Sequence, residues 1–135
     1  MNQPHPFRRA VESGDIDALA ALFVPEATLH SPAVYEPYVG RDAIHVLLGI
    51  LLEIFQDFRY TDEFESEDGS RALLFRTRIG GRELQGLDVL RYDDEGQITD
   101  LTVMIRPRSG LEAVISAVAP RLQAARAAAR KDPLS

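Results

Sequence analysis

The chain has 135 residues, no cysteine and no tryptophan, and its formal net charge is −6. This length fits one domain that buries a core without cross-links, since domains typically run to about 100–150 residues. The lack of cysteine excludes disulfides and thiolate-bound metals. The acidic balance argues against nucleic-acid binding, which needs local positive charge.

The N-terminal segment does not resemble a secretory signal, because Met1–Phe7 lacks an apolar stretch behind a basic flank. The longest apolar stretch, residues 43–58, is interrupted by polar residues that include Glu53 and Asp57. It is shorter than the roughly 20 apolar residues that a membrane span needs. We therefore expect a cytoplasmic protein without a membrane segment.

The N-terminal part of the chain predicts three helices and one short strand. Gly14 suits the position after a first helix, and Asp15 suits the cap of a second. A third helix carries apolar residues on most sides, which predicts that it is buried. The predicted elements are helices over Phe7–Ser13, Ile16–Phe23 and Arg41–Asp57, a strand over Ala27–Ser31 and a loop over Pro32–Gly40.

From Arg59 onward the apolar residues alternate, which indicates strands joined by turn residues such as Gly80-Gly81. The predicted strands are Arg59–Glu67, Arg71–Ile79, Arg82–Tyr92 and Gln97–Arg106. A last helix is predicted from Ser109 or Gly110 to about Arg130, and Pro120 is expected to kink it or divide it in two. Residues 131–135 are expected to fray.

Helices gathered at one end of the chain and strands at the other predict an α+β class. We expect a single domain over residues 1–135, with a curved antiparallel sheet wrapped around the helices. Such a sheet forms a cone with an apolar internal pocket.

Asp88 is the residue that most suggests chemistry. Strand alternation places it on the same face as Leu84, Gly86, Leu90 and Tyr92, so one carboxyl is expected among apolar neighbours. Burial there raises the pKa of a carboxyl and favours its neutral form. A neutral acid can protonate a substrate or donate a hydrogen bond to a developing oxyanion. The alternative is a structural aspartate bonded to a tyrosine hydroxyl or a backbone amide.

Four segments of the chain resemble the NTF2-like superfamily, in its SnoaL-like, polyketide-cyclase-like and ketosteroid-isomerase-like branch. They are Gly14-Asp15-Ile16-Asp17-Ala18-Leu19, Leu22-Phe23-x-Pro-x-Ala27-Thr28-Leu29, Gly40-Arg41-x-Ala43-Ile44 and Asp88-Val89-Leu90-Arg91-Tyr92-Asp93-x-x-Gly96-x-Ile98. The resemblance covers about residues 5 to 108. It implies the curved sheet, an internal pocket and frequent dimers.

The same resemblance implies a role for Asp88, which matches the buried aspartic acid of the ketosteroid isomerase oxyanion hole. Ser31 stands where the isomerase has its general base, and the isomerase tyrosine of the first helix would fall near Pro6, in a helix without tyrosine. Gly86 stands where limonene epoxide hydrolase, a relative in fold, has an arginine. We therefore do not predict a true ketosteroid isomerase, and whether the chain is an enzyme stays open.

The catalytic candidates are Asp88, His30 and Ser31. His30 could act as a base near neutral pH, but alternation turns it outward if Leu29 faces the core, unless the turn at Pro32 reverses this. Aromatic and apolar side chains form the predicted pocket, without a metal or a cofactor. The ligand-binding candidates are Tyr35, Tyr38, Phe55, Phe58, Phe75, Leu90 and Met104.

The opposite face of the sheet also carries apolar residues, Leu87 and Val89, for which the last strand offers neighbours. The candidate neighbours are Leu101, Val103 and Ile105. A large exposed apolar patch is unusual for a monomer, so we expect a homodimer joined through this face.

Three functions follow. The first is a cofactor-free enzyme of isomerase, cyclase or hydratase type that moves a proton on an apolar, oxygen-bearing ring compound, with Asp88 as acid or oxyanion donor. The second is a binding module with the same pocket and no turnover, which the missing base favours. The third is a protein-interaction domain that uses the sheet face.

Overall fold

The computed structural model describes residues 5–130, and they form four helices and one six-stranded sheet. The helices are α1 (Pro6–Ser13), α2 (Ile16–Ala20), α3 (Arg41–Ile54) and α4 (Arg108–Arg130). The strands are β1 (Phe23–His30), β2 (Tyr38–Val39), β3 (Gln56–Glu65), β4 (Arg71–Ile79), β5 (Arg82–Tyr92) and β6 (Ile98–Arg106). The predicted α+β class is confirmed.

The sheet is curved and has the strand order β2-β1-β6-β5-β4-β3. Strands β3 to β6 pair as the predicted antiparallel meander, in which each strand turns back on the one before it. The sheet is mixed, because β1 pairs in parallel with β6, and this one pair departs from the expected antiparallel arrangement. The long connection between these two strands, through α3 and the meander, allows them to run in the same direction.

The boundaries of the first elements differ from the prediction. Helix α2 ends at Ala20 rather than Phe23, and β1 begins at Phe23. The register between β1 and β6 shifts between Phe23 and Thr28. Pro25 lies in this irregular part of the strand, where its missing N–H is tolerated. The segment predicted as a loop contains the short strand β2, which pairs with the end of β1.

Helix α3 is also shorter than predicted. It ends at Ile54, Phe55 adopts an extended conformation, and β3 begins at Gln56. Phe55 continues the apolar run of the helix, so hydrophobicity alone does not indicate where the helix ends and the strand begins. Tertiary packing decides it, since Phe55 joins an aromatic cluster with side chains of the sheet.

Helix α4 is one element, and Pro120 lies inside it without dividing it. Pro120 has no N–H, so the Ser116 carbonyl lacks its usual helical donor. Both residues are exposed, so water can donate a hydrogen bond to that carbonyl. The predicted fraying at 131–135 lies outside the described residues. Between residues 5 and 130, no helix combines the length and hydropathy that a membrane crossing requires.

The two faces of the sheet differ in what covers them. The inner face packs against α3 and α4 and buries Leu73, Leu90 and Leu101 completely. The register places Val103 opposite Asp88 and Ile105 opposite Gly86. Leu101, Val103 and Ile105 therefore face the core, which corrects their predicted position. The outer-face neighbours of Leu87 and Val89 on β6 are Met104 and Thr102.

Candidate functional site

Asp88 lies on the inner face at the centre of β5, and it is only 7% exposed. Leu73 of β4 and Val103 of β6 are its cross-strand neighbours. Its Oδ2 accepts a hydrogen bond from the Tyr60 hydroxyl at 3.1 Å. No other hydrogen bond to this carboxyl occurs among residues 5–130, so Oδ1 stays available to hold a proton or to meet a ligand.

The surroundings of this pair control its protonation. Burial raises the pKa of Asp88 to about 7, and the hydrogen bond from Tyr60 offsets part of that rise. Burial, followed by the adjacent Asp88 charge, raises the pKa of Tyr60 well above its usual range. Tyr60 therefore remains a hydrogen-bond donor at neutral pH, while Asp88 exchanges a proton there. A carboxyl in this state can act as a general acid.

An aromatic cluster lies beside the pair and contains three of the predicted ligand-binding residues. Phe55, Phe58 and Phe75 pack together with ring centroids 4.8 to 6.0 Å apart, and Tyr60 meets Phe58 edge-on at 5.0 Å. The Phe75 ring lies over Gly86, where an added Cβ would be 2.0 Å from Cζ. These rings fill the space next to Asp88 and do not line the cavity described below.

The main cavity has a volume of about 550 Å³ and lies between α3, α4, the end of β6 and the segment after β1. Its wall is mostly aliphatic, and polar groups enter it from Ser31, Glu36, Gln123 and Arg126. Its aliphatic lining residues include Leu29, Leu47, Leu51, Val103, Ile105, Leu111, Val114, Ile115, Val118 and Leu122.

Asp88 is a neighbour of this cavity and not part of its wall. Val103, directly opposite Asp88, lines it, as does Ile105, directly opposite Gly86. The carboxyl therefore lies one strand away from a residue of the apolar wall, on the same face of the sheet. Ser31, which the resemblance placed at the general-base position, does line the cavity. Its Oγ accepts from the backbone N–H groups of Ala33 and Val34, so its hydroxyl hydrogen is available to a ligand.

His30 is on the other side of the sheet from the cavity, which corrects its prediction as a pocket base. Its Nε2 lies 2.8 Å from Asp100 Oδ1, and that oxygen also accepts from Thr28 Oγ1 at 2.6 Å. The alternation of β1 decides this, because Leu29 is buried toward the core and His30 must then face outward.

Of the other four predicted ligand-binding residues, one lines the cavity and three do not. Tyr38 lines the cavity. Tyr35 does not, since it is 95% exposed at the tip of its segment. Leu90 is fully buried in the core. Met104 is wrong as a pocket residue, because it pairs with Leu87 on the outer face and is 56% exposed.

Sequence reasoning missed four polar residues at or near the site, namely Tyr60, Glu36, Gln123 and Arg126. The structure contains the tyrosine hydroxyl bond that the alternative interpretation of Asp88 expected. Its donor is Tyr60, which reaches Asp88 across β4, and no local pattern indicates which tyrosine makes this contact. Gln123 and Arg126 follow the apolar positions of α4 at helical spacing, so the period of that helix could have predicted that they share its inward side. Within the described chain, no group of three or more His, Asp or Glu side chains could hold a metal ion.

Comparison with known proteins identifies the family. A SnoaL-like domain model matches residues 6–101. The chain belongs to the SnoaL-like domain family. A steroid Delta-isomerase of Nocardioides simplex is 31% identical over 105 residues, which cover 73% of this chain and 82% of the relative.

Solved structures agree with this SnoaL-like assignment. A steroid delta-isomerase from Pseudomonas aeruginosa superposes with a TM-score of 0.85 at 38% identity, covering 90% of this chain and 89% of that one. A Silicibacter pomeroyi protein with a cystatin-like fold gives 0.83 at 26% identity, covering 87% of this chain and 83% of that one. The SnoaL-like chain therefore has an NTF2-like fold that it shares with steroid delta-isomerases.

Proposed function

We propose that this SnoaL-like domain binds a small, apolar, oxygen-bearing ring compound in its cavity and moves a proton on it. Asp88, held by Tyr60, is the proposed acid or oxyanion donor. One observation carries the proposal, which is a buried carboxyl directly across from Val103, a residue of the wall of an apolar cavity. The steroid Delta-isomerase relatives support the choice of a ring compound.

The proposed step needs no cofactor. Neutral Asp88 donates its proton, or a hydrogen bond, to a ligand oxygen, and the carboxylate that results keeps the hydrogen bond from Tyr60. Val103 lines the cavity and lies directly across from Asp88 on the neighbouring strand, so the reactive end of the ligand would reach the carboxyl beside that side chain. The low-polarity surroundings strengthen a hydrogen bond made there.

The steroid isomerase reaction itself is not proposed. Ser31 supplies a hydroxyl at the position where the resemblance implies a carboxylate base, and a hydroxyl is a poor base at neutral pH. Glu36 is a carboxylate in the cavity wall, at its exposed rim. The base could therefore be the Glu36 carboxylate or a proton-accepting group of the substrate itself.

A naphthol tests the contact with Asp88, because its fluorescence reports whether its hydroxyl is ionised. We expect it to bind in the cavity and to change its ionised fraction on binding, since a strong donor stabilises the oxyanion. Asp88→Asn should remove most of that change. Asp100→Asn is the matched control, because Asp100 lies on the outer face of the neighbouring strand. An unchanged response in Asp88→Asn would exclude Asp88 from contact with the ligand.

The alternative is a binding module without turnover, and the hydroxyl of Ser31 in place of a base is the observation that favours it. It predicts that ring compounds raise the melting temperature while none is converted. A screen of steroids, terpenoid epoxides and aromatic polyketides separates the two functions. Conversion that is lost in Asp88→Asn supports the enzyme, and binding without conversion supports the module.

We also propose a homodimer joined through the outer face of the sheet. This face presents apolar side chains that residues 5–130 leave partly or largely exposed, and Met104 is 56% exposed. Its apolar members are Phe64, Leu74, Leu87, Val89 and Met104. Light scattering should show a dimer at micromolar concentration, and Leu87→Glu should give a folded monomer. A wild-type monomer would contradict the proposal.

A further inference from the structure

The cavity is long and has a polar end. Its lining residues on α4 run from Leu111 to Arg126 along one side of the helix. These two positions are about 22 Å apart along the axis, at 1.5 Å per residue. The Leu111 end adjoins Val103 and Ile105, next to Asp88, whereas the other end opens beside Gln123 and Arg126.

Arg126 differs from Arg121, which lies in the same half of the helix. Arg121 points away from the cavity wall and donates to the Ala117 carbonyl at 2.8 Å. Arg126 lines the cavity, and no described residue forms an ion pair or hydrogen bond with its side chain. A guanidinium recognises a carboxylate through two parallel hydrogen bonds, so an unpaired one at the end of an apolar cavity favours an anion.

The opposite wall carries one acid. Glu36 also lines the cavity, but it does not come within 4 Å of a cationic nitrogen of Arg126. From residue 113 to residue 130, α4 contains arginines and no acidic residue. The charge that this part of α4 brings to the cavity is therefore positive, and Glu36 elsewhere in the lining offsets one unit of it.

We infer that the cavity takes an elongated apolar ligand that ends in a carboxylate, and that Arg126 binds this carboxylate. The inference rests on the proposed function and specifies its ligand. The apolar body lies along Val114, Val118 and Leu122, and the end remote from the carboxylate reaches the neighbourhood of Asp88. The ligand would then be fixed at one end by charge and presented to the buried acid at the other.

Lithocholate and its methyl ester form a matched pair for the test, because they share one steroid body and differ in charge. Both are measured below the micelle concentration by displacement of a fluorescent apolar probe. We expect the wild type to bind lithocholate at least tenfold more tightly than the ester. Arg126→Gln should remove this preference and leave ester binding unchanged. Arg121→Gln is the control and should keep the preference, whereas Glu36→Gln should tighten lithocholate binding alone.

The outcomes separate this inference from the proposed function. Equal binding of acid and ester by the wild type, or a preference that persists in Arg126→Gln, overturns the carboxylate site and leaves an apolar ligand in place. Failure of both compounds to bind overturns the binding function together with the inference. Loss of binding as the protein concentration rises would show that a second copy covers the cavity, and it would also overturn the inference.

Discussion

Two aspartates on neighbouring strands show how the two faces of one sheet differ. Asp88 of β5 points inward, where apolar side chains surround it and Tyr60 donates its one hydrogen bond. Asp100 of β6 points outward, where its Oδ1 meets both Thr28 and His30 and its side chain is 24% exposed.

The difference teaches that the direction of a side chain, and not its residue type, gives a carboxyl its chemistry. On the outer face, Asp100 is partly exposed and has two polar partners on β1. On the inner face, Asp88 loses water and gains one partner, which raises its pKa to about 7. His30 would be a plausible base by residue type, but it lies with Asp100 on the side of the sheet opposite the cavity.

Replacing the inner acid should have the largest effect on stability. The folded chain binds the Asp88 proton more tightly than the unfolded chain, so its contribution is complete below about pH 4 and declines as the pH rises to about 7. Asp88→Asn lacks this decline, so its stability relative to the wild type should increase by about 4 kcal/mol over that window. Urea unfolding at a series of pH values measures it.

Asp100→Asn is the control for that series. It should keep the wild-type decline between acid and neutral pH, because Asp88 is intact. If Asp88→Asn showed the same dependence on pH as the wild type, the inner carboxyl would not carry the raised pKa, and the contrast between the two faces would be lost.

Filling the inner face at Gly86 should have the next largest effect. A Cβ there would be 2.0 Å from Phe75 Cζ, and three aromatic rings hold Phe75 in place. Gly86→Ala should therefore lower the free energy of unfolding by about 1–3 kcal/mol, the usual cost of overpacking. Gly81→Ala, with open space around the new methyl group, should change it by less than about 0.5 kcal/mol. Equal effects would mean that the ring is not packed on Gly86.

A base added to the cavity should have an effect of about tenfold. Ser31→Asp places a carboxylate in the cavity wall, and a positioned general base contributes at least that much to proton abstraction. We expect the variant to isomerise a β,γ-unsaturated ketosteroid at least about tenfold faster than the wild type. Absorbance of the conjugated product measures the rate. A folded variant without any gain would show that the substrate does not reach both Ser31 and Asp88.

The smallest expected effect comes from Tyr60→Phe. The hydrogen bond from Tyr60 stabilises the charged form of Asp88, so its loss should raise the pKa of that carboxyl above the wild-type value. The rise should stay below about one pH unit, as befits one hydrogen bond. Carboxyl carbon NMR follows it, and a downward shift would mean that Tyr60 accepts from Asp88 instead of donating.

Much of the fold follows from local patterns. Strands β4 and β5 have their predicted limits, because alternation and the turn at Gly80-Gly81 are properties of a few adjacent residues. The ends of α2 and α3 were missed because Phe23 and Phe55 suit either a helix or a strand, and their partners in the core decide between them. The parallel pairing of β1 with β6 joins distant segments and has no local signal.

The site was less predictable than the fold. Alternation within β5 was enough to place Asp88 on the buried face. The partner Tyr60 depends on how far a ring reaches across β4, and Arg126 depends on where α4 packs. Met104 was placed in the pocket because its apolar character does not tell which face of β6 it occupies, and the register with β5 settles that.

The titration of Asp88 itself tests the account most directly. Carboxyl carbon NMR of the wild type, with Asp88→Asn to assign the signal, should give an apparent pKa of about 7. The signal should also move when a naphthol fills the cavity. A pKa near the ordinary value of 3.8, together with a signal that does not respond to the ligand, would contradict the claim that the fold raises the pKa of this acid beside its binding site.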